Sequence, residues 1–363
     1  MRLMRTLCIC DNLLPPYVHT SGTKAIFQMY QALAQRGHEV HYLTSRGKWT
    51  SANWKKWAYQ QKGRPEFFVV PDRFQLQRIA YLPYALKLHR RYGYDVIHEY
   101  SSSPLIANRS RVLRHLTGAR VFHTVCTWNR PVFRSKRWNV IAPSELIETA
   151  PMPVDPRFFE NTASPTTLSF LYLGLLNKNK GAGVFLDAVP EILAKHPHAR
   201  GVIVTAPGRR ESAKKNPYRK RVKALMERYP GRINFIEEEV DIAKLLPHIR
   251  VLVYPVETLF GTLVMPGVLV EAMASAKGIV ATRLPELQGL LSENENALLF
   301  ETREELVDKV GRLLRGDALC ATLGAAARRS VETFRLDSVV DRLAEKYCDG
   351  VSDPEGEYAG EMP

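Results

Sequence analysis

Arg5-Thr6-Leu7-Cys8-Ile9-Cys10, then a loop through Pro15-Pro16 and Ser21-Gly22, then residues 23–35, then Arg36-Gly37-His38, then Glu39-Val40-His41-Tyr42-Leu43-Thr44: these first forty-odd residues decide the fold. The opening run is short, apolar and β-rich, so it reads as a strand. Residues 23–35 carry apolar side chains at Ile26, Met29, Tyr30, Leu33 and Ala34, a helical spacing. Gly37 follows where a helix ends, because glycine accepts the left-handed cap conformation. Residues 39–44 are β-rich again. Strand, helix, strand over so short a span is a βαβ unit, and repeated units of that kind build a parallel sheet covered by helices on both faces.

The pattern continues outward. Further strands are expected at 67–70, 96–98, 120–125 and 140–142, then, after a polar stretch at Asn161–Pro165, at 168–172, 200–205, 233–236, 251–254 and 278–282. Helical patterns lie between them at 184–193, 219–228 and 242–246, and a last one at 334–347 has Leu336, Val339, Val340, Leu343 and Ala344 on one face. The expected architecture is two doubly wound α/β domains in tandem, with ligands at the carboxyl ends of the strands in the cleft between them. The expected boundaries are 1–160, a basic N-terminal domain; 165–333, the C-terminal domain; 334–348, a helix returning to the N-terminal domain; and 349–363, a frayed tail without periodicity.

The chain has 363 residues and a formal net charge of +14, and none of that excess lies in its second part. Residues 1–163 hold 24 basic and 10 acidic side chains, whereas 164–363 hold 27 of each. The first half therefore suits an anionic partner or surface. Hydrophobic residues are 45% and charged residues 24%, which excludes disordered and collagen-like classes. No apolar run is long enough for a membrane-spanning helix, the charged N-terminus is unlike a signal peptide, and five scattered cysteines do not form a disulfide framework; a cytoplasmic location is expected.

Several common chemistries are missing from the motifs. There is no Asp-x-Asp, no Cys-x-x-Cys, no His-Glu-x-x-His and no phosphate-loop signature, so no metal site and no cofactor are expected. What remains are loops that open helices, where unpaired N–H groups and the positive dipole end favour phosphate. Three stand out: Ser21-Gly22-Thr23-Lys24; residues 174–181, where Lys180 precedes Gly181; and residues 261–274, where Pro266 begins a helix whose Glu271 sits among Val268, Leu269, Val270, Ala272 and Met273. A carboxylate in such company needs a hydrogen-bonding partner or a ligand hydroxyl.

These segments, in this order, resemble the retaining glycosyltransferases of family 4, which have the GT-B fold of two facing Rossmann-like domains. The likeness spans most of the chain: Arg36-Gly37-His38-Glu39-Val40, Tyr94-Asp95-Val96-Ile97-His98, Val140-Ile141-Ala142-Pro143-Ser144-Glu145, Pro151-Met152-Pro153-Val154-Asp155-Pro156-Arg157-Phe158, residues 271–282 and Asn296-Ala297-Leu298-Leu299-Phe300. The resemblance implies a hexosyltransferase-type enzyme with a nucleoside diphosphate sugar as donor substrate. Donor binding would fall to Gly22, Thr23, Gly174, Asn177, Lys180, Thr262, Pro266, Gly267, Val268 and Glu271, with Lys180 on the diphosphate and Glu271 on ribose hydroxyls. The catalytic group is not fixed, and His98, His123 and Lys180 are the candidates.

The family pattern is broken at three places. The first glutamate of its Glu-x(7)-Glu motif falls at Leu263, the arginine of its phosphate loop at Leu175 and its histidine in the strand around residues 122–127 at Cys126. These departures motivate a second reading, a non-catalytic sugar-nucleotide-binding homologue that acts as an interaction partner. Basic and aromatic residues mix at Trp54, Lys55, Lys56 and Trp57, at residues 81–92, where Tyr81, Tyr84, Ala85 and Leu88 share one helical face and read as core, and again at Arg130, Arg134, Lys136 and Arg137. They suit an anionic membrane headgroup zone and hence a saccharide or lipid-linked acceptor at the inner membrane face. Nucleic acid is not expected as a partner, because no motif for it accompanies them.

Overall fold

The computed structural model describes residues 3–10, 21–45, 67–70, 77–101, 105–125, 145–146, 153–160, 167–205, 216–238, 240–259 and 266–348. Strands β1 (Arg5–Cys10), β2 (Glu39–Ser45), β3 (Phe67–Val70), β4 (Val96–Ser101), β5 (Arg120–Val125) and β6 (Glu145–Leu146) form one sheet in the order β3-β2-β1-β4-β5-β6. Strands β7 (Ser169–Leu173), β8 (Arg200–Val204), β9 (Ile233–Ile236), β10 (Val251–Tyr254), β11 (Gly278–Thr282) and β12 (Leu298–Phe300) form a second, in the order β12-β11-β10-β7-β8-β9. All of these pairings are parallel. Numbered from its own first strand, each sheet has the doubly wound order 3-2-1-4-5-6, so each has a switch point, between β1 and β4 and between β7 and β10. The strand expected at 140–142, the linker at 161–165 and the tail at 349–363 lie outside the described residues.

Strands of such sheets are covered on both faces, which is why they read as unbroken apolar runs. In the second sheet Phe170, Tyr172, Val251 and Val253 pack with α5 (Ala182–Lys195), α6 (Pro217–Arg228) and α9 (Arg303–Arg315). Leu171, Leu252, Tyr254 and Ile279 point the other way, against α7 (Ile242–Leu245), α8 (Gly267–Ala274) and α10 (Asp317–Ser330). In the first sheet, β1 sends Leu7 and Ile9 towards α2 (Gln77–Tyr92) and α3 (Leu105–Thr117) and sends Cys8 and Cys10 towards α1 (Ser21–Gln35) and α11 (Leu336–Cys348).

Helix α11 is thus part of the first sheet's core. Val339, Val340, Leu343, Ala344 and Tyr347 are buried there. Arg120 donates to the carbonyls of Tyr347 at 2.6 Å and Lys346 at 3.0 Å, so a cation satisfies the helix's C-terminal carbonyls. The short helix α4 (Pro156–Phe159) behaves in the opposite way. Phe158 and Phe159 are buried in the core of the second sheet, so the chain has joined its second unit before residue 160, the boundary expected from sequence. Two buried phenylalanines have more apolar surface to bury there than a polar boundary stretch can outweigh. The two passages run side by side: Val154 pairs with Arg335 in a parallel bridge, with Val154 N donating to Phe334 O at 2.7 Å and Leu336 N to Val154 O at 3.2 Å.

Candidate active site

The loop between β7 and α5 is built to hold one lysine still. Gly174 ends the strand, its N–H donating to Val204 O at 3.0 Å. The Tyr172 hydroxyl donates to the carbonyls of Leu175 (2.8 Å) and Lys180 (3.2 Å), and Asn177 Oδ1 accepts from Lys180 N at 2.9 Å. Asn216 Nδ2 donates to Leu176 O at 2.8 Å, and Glu257 N donates to Asn179 O at 3.1 Å, which ties the loop to the segment after β10. Gly181 makes this approach possible. Its φ is +66°, and a Cβ there would stand 1.6 Å from Pro255 O. The loop therefore lies over the β7–β10 switch point. Lys180 is partly buried, with its ammonium held below its ordinary pKa by burial, and its Nζ has no hydrogen bond or ion pair among the described residues. A half-buried, unneutralised cation on a fixed loop suits an anionic ligand.

Helix α8 supplies the second part. Pro266 is its N-cap, so no side-chain hydrogen bond caps the turn formed by Gly267 and Val268. Glu271 lies one turn further. It is half-buried, and burial pushes its carboxyl up to about 7, with Lys24 and Arg157 pulling the other way and Asp155 adding to the rise. Those three neighbours come from elsewhere in the chain: Lys24 from α1 of the first unit, Asp155 and Arg157 from the crossing. Arg157 reaches Asp155 at 2.9 Å and Asp241 at 2.9 Å, and Gln28 Nε2 of α1 donates to Asp155 Oδ2 at 3.1 Å. Burial alone would raise the Asp155 carboxyl, but the hydrogen bonds from Arg157 and Gln28 hold it below the usual range. Lys24, Gln28 and Arg157 were not among the expected site residues. The motifs at residues 21–24 and 151–158 were visible in sequence, yet their convergence on Glu271 was not.

Of the expected residues, Gly174, Asn177 and Lys180 share the β7–α5 loop, and Pro266, Gly267, Val268 and Glu271 share the start of α8. Gly22 and Thr23 form the first turn of α1, their side chains outside the described ones. Thr262, Trp54, Lys55, Lys56, Trp57, Arg130, Arg134, Lys136 and Arg137 lie outside the described residues, as do Leu263 and Cys126. Leu175 is 52% exposed.

His98 does not qualify as a catalytic candidate. It is fully buried in β4, its Nδ1 is 2.6 Å from the Tyr347 hydroxyl and its Nε2 2.8 Å from Thr124 Oγ1. Burial holds its pKa well below the ordinary value, with His123 and Lys346 adding to the effect, so it is a neutral hub that fastens α11 to the sheet. His123 is buried on the opposite face of the sheet, at 1% exposure. Burial and the nearby Arg109 lower its pKa to about 4, and neither ring nitrogen has a partner among the described residues. Its register neighbour on β4 is Glu99, which accepts from Arg109 Nε at 2.7 Å and from the Ser110 hydroxyl. This buried group was not foreseen. A recess of about 380 Å³ lined by Met4, Asp95, Arg120 and Cys348 opens at the amino ends of β1, β4 and β5, the end opposite to where sheets of this type take ligands.

Residues 167–316 match the family described as glycosyl transferases group 1, and residues 23–148 match the family described as glycosyltransferase family 4. The chain belongs to glycosyltransferase family 4. Solved structures share the fold of this glycosyltransferase. A glycosyltransferase from Rickettsia africae is 15% identical with a TM-score of 0.74, covering 96% of this chain and 98% of its own. Anabaena HepE in complex with UDP is 14% identical with a TM-score of 0.70, covering 94% and 99%, and HepE has also been solved with UDP-glucose. Sucrose-phosphate synthase from Thermosynechococcus elongatus is 17% identical with a TM-score of 0.63, covering 94% and 98%. No curated protein sequence matches this glycosyltransferase. Among the described residues, no three His, Cys, Asp or Glu side chains gather as a metal site requires, and no helix is long and apolar enough to cross a membrane.

Proposed function

We propose that this glycosyltransferase moves a sugar from a nucleoside diphosphate sugar to a hydroxyl of a saccharide or lipid-linked acceptor, with retention at the anomeric carbon and without a metal ion. The observation that carries this reading is the half-buried Lys180, without an ion pair among the described residues, on its braced loop at the switch point, within the family match that spans 167–316. The departing diphosphate gains negative charge as the glycosidic bond breaks. Lys180 and the amides of Gly267 and Val268 would stabilise that charge, the part a metal plays elsewhere. Glu271 would accept hydrogen bonds from ribose hydroxyls. Retention would follow from acceptor attack on the face the diphosphate leaves, with a leaving-group oxygen taking the proton. HepE binds UDP, which makes UDP the first nucleotide to test.

The test is melting temperature with UDP, GDP, ADP, dTDP or CMP, each with and without EDTA. One nucleoside diphosphate should raise it equally in both conditions, and Glu271→Ala should abolish the rise. The anomeric configuration of the transfer product, read by NMR, then tests retention. If no nucleotide stabilises the protein, the donor reading fails. The exposed Leu175, where the family has an arginine, favours a second reading: a homologue that binds sugar nucleotide without transferring it. Nucleotide binding without turnover of any matching sugar nucleotide would select that reading.

A further inference from the structure

Helices α2 and α3 lie side by side on one face of the first sheet, and both bury one stripe there: Tyr81, Ala85 and Leu88 from α2, Leu113 from α3. Neither helix contains an Asp or Glu. Lys87, Arg90 and Arg91 of α2 and Arg114 and His115 of α3 are exposed, and the first three make no ion pair with any described residue. Between these cations stand apolar and aromatic side chains in the open: Tyr84 at 38%, Val112 at 40% and Leu116 at 57%. Among the described residues, six large apolar side chains are that exposed, and three of them are on these two helices.

Part of the charge has a local role. Cations in the last turn of a helix complement its dipole, and Arg90, Arg91, Arg114 and His115 sit there. That role does not require the complete absence of acids from both helices. Nor does it account for the exposure of Tyr84, three residues before Lys87 on α2, or of Val112 and Leu116, which are one turn apart on α3. Cations that can reach phosphate, with apolar side chains that can enter the acyl boundary, are the combination an anionic bilayer surface rewards. A nucleic acid would use the cations and leave Val112 and Leu116 without a partner.

We propose that the outer face of α2 and α3 is a docking surface for anionic lipid, which holds the first unit against the membrane. This rests on the reading above that the acceptor can be lipid-linked, but it uses no residue of the donor site. It also differs from the basic stretches around Trp54 and Arg130.

The full-length protein is co-sedimented with vesicles of phosphatidylcholine alone and with vesicles containing 30% phosphatidylglycerol, in 0.1 M and 0.5 M salt. Binding is expected only to the anionic vesicles, and weaker at high salt because screening shortens the reach of the cations. The triple variant Lys87→Gln, Arg90→Gln, Arg91→Gln should bind the anionic vesicles about 100-fold less tightly, and Tyr84→Ala with Leu116→Ala about 10-fold less. Melting temperature checks that both remain folded, and the nucleotide-induced rise in melting temperature should be unchanged in both, so a failure of the donor site is read separately. A triple variant that binds as tightly as the parent overturns the proposal while leaving membrane attachment to another surface. Equal binding to neutral vesicles, no vesicle binding, or a single-stranded oligonucleotide bound more tightly than vesicles and lost in the triple variant also overturns it.

Discussion

The two sheets have the same strand order and opposite interiors. The strands of the second sheet bury apolar side chains, and the ionisable residues of that unit stand at their ends: the buried Arg250 and Lys277 just before β10 and β11, Lys180 and Glu271 beyond the carboxyl ends, where the chain turns into loops and helix starts. The first sheet carries ionisable residues through its middle: His98 against Tyr347 and Thr124 on one face, Glu99, Arg109 and His123 on the other. One topology thus keeps its chemistry at the rim in one copy and uses polar groups as internal fasteners in the other. A histidine in a strand of such a fold cannot be assigned a role until its face and its neighbours are known.

Substitutions at four places would break or sharpen this contrast. The largest effect is expected at Gly181. A side chain there meets Pro255 O and must also hold a left-handed backbone, so Gly181→Val should cost about 3 kcal/mol or more, read by denaturant unfolding, together with loss of nucleotide binding. If the variant unfolds as the parent does, the loop is not braced against the end of β10.

Glu271 comes next, through pH. Its carboxyl is raised to about 7 in the folded protein, so without nucleotide its contribution to stability is fully present below the ordinary carboxyl pKa and is lost as pH rises through 7. Glu271→Gln should therefore raise the melting temperature more at pH 8 than at pH 5. Ribose hydroxyls favour the ionised form, so nucleotide affinity measured by calorimetry should rise about tenfold from pH 6 to pH 8, and Glu271→Gln should flatten that rise. An unchanged profile in the variant would remove Glu271 from the donor site.

On the first sheet, Tyr347→Phe removes the hydroxyl that meets both His98 Nδ1 and Tyr30, the latter at 2.7 Å. It should cost about 1–2 kcal/mol in stability and leave nucleotide affinity as it was. A change in nucleotide affinity would mean that the fasteners of the first sheet reach the rim of the second. The smallest expected effect is a gain: Leu175→Arg places a cation on the exposed side of the Lys180 loop and should tighten nucleoside diphosphate binding about three-fold.

The doubly wound class was legible because each half alternates short apolar runs with helical spacing, and β1, α1 and β2 were readable almost residue by residue. Helix α3 escaped notice because Asn108, Arg109 and Ser110 interrupt its apolar pattern, and Arg109 and Ser110 turn out to be buried on Glu99. Strand β12 is three residues long, too short for periodicity to register. Within the site, Lys180 and Glu271 could be singled out because a lysine before a helix-opening glycine and a glutamate in an apolar helix are locally odd. Lys24, Gln28 and Arg157 could not, since nothing local marks residues that converge on Glu271 from separate parts of the chain. His98 was misjudged for the same reason: its partner Tyr347 lies 249 residues further along the chain.

The parallel bridge between Val154 and Arg335 has a consequence for biosynthesis. The second unit is one continuous stretch between the two crossings and can close as soon as it leaves the ribosome. The first unit begins earlier and finishes later, because Tyr30 and His98 wait for Tyr347. During translation the older half of the chain stands open on the face that α11 will cover, while the younger half is already folded. A chaperone that shields exposed apolar surface would therefore find its target in residues made first, and a premature stop after Arg335 would spare the second unit and strand the first.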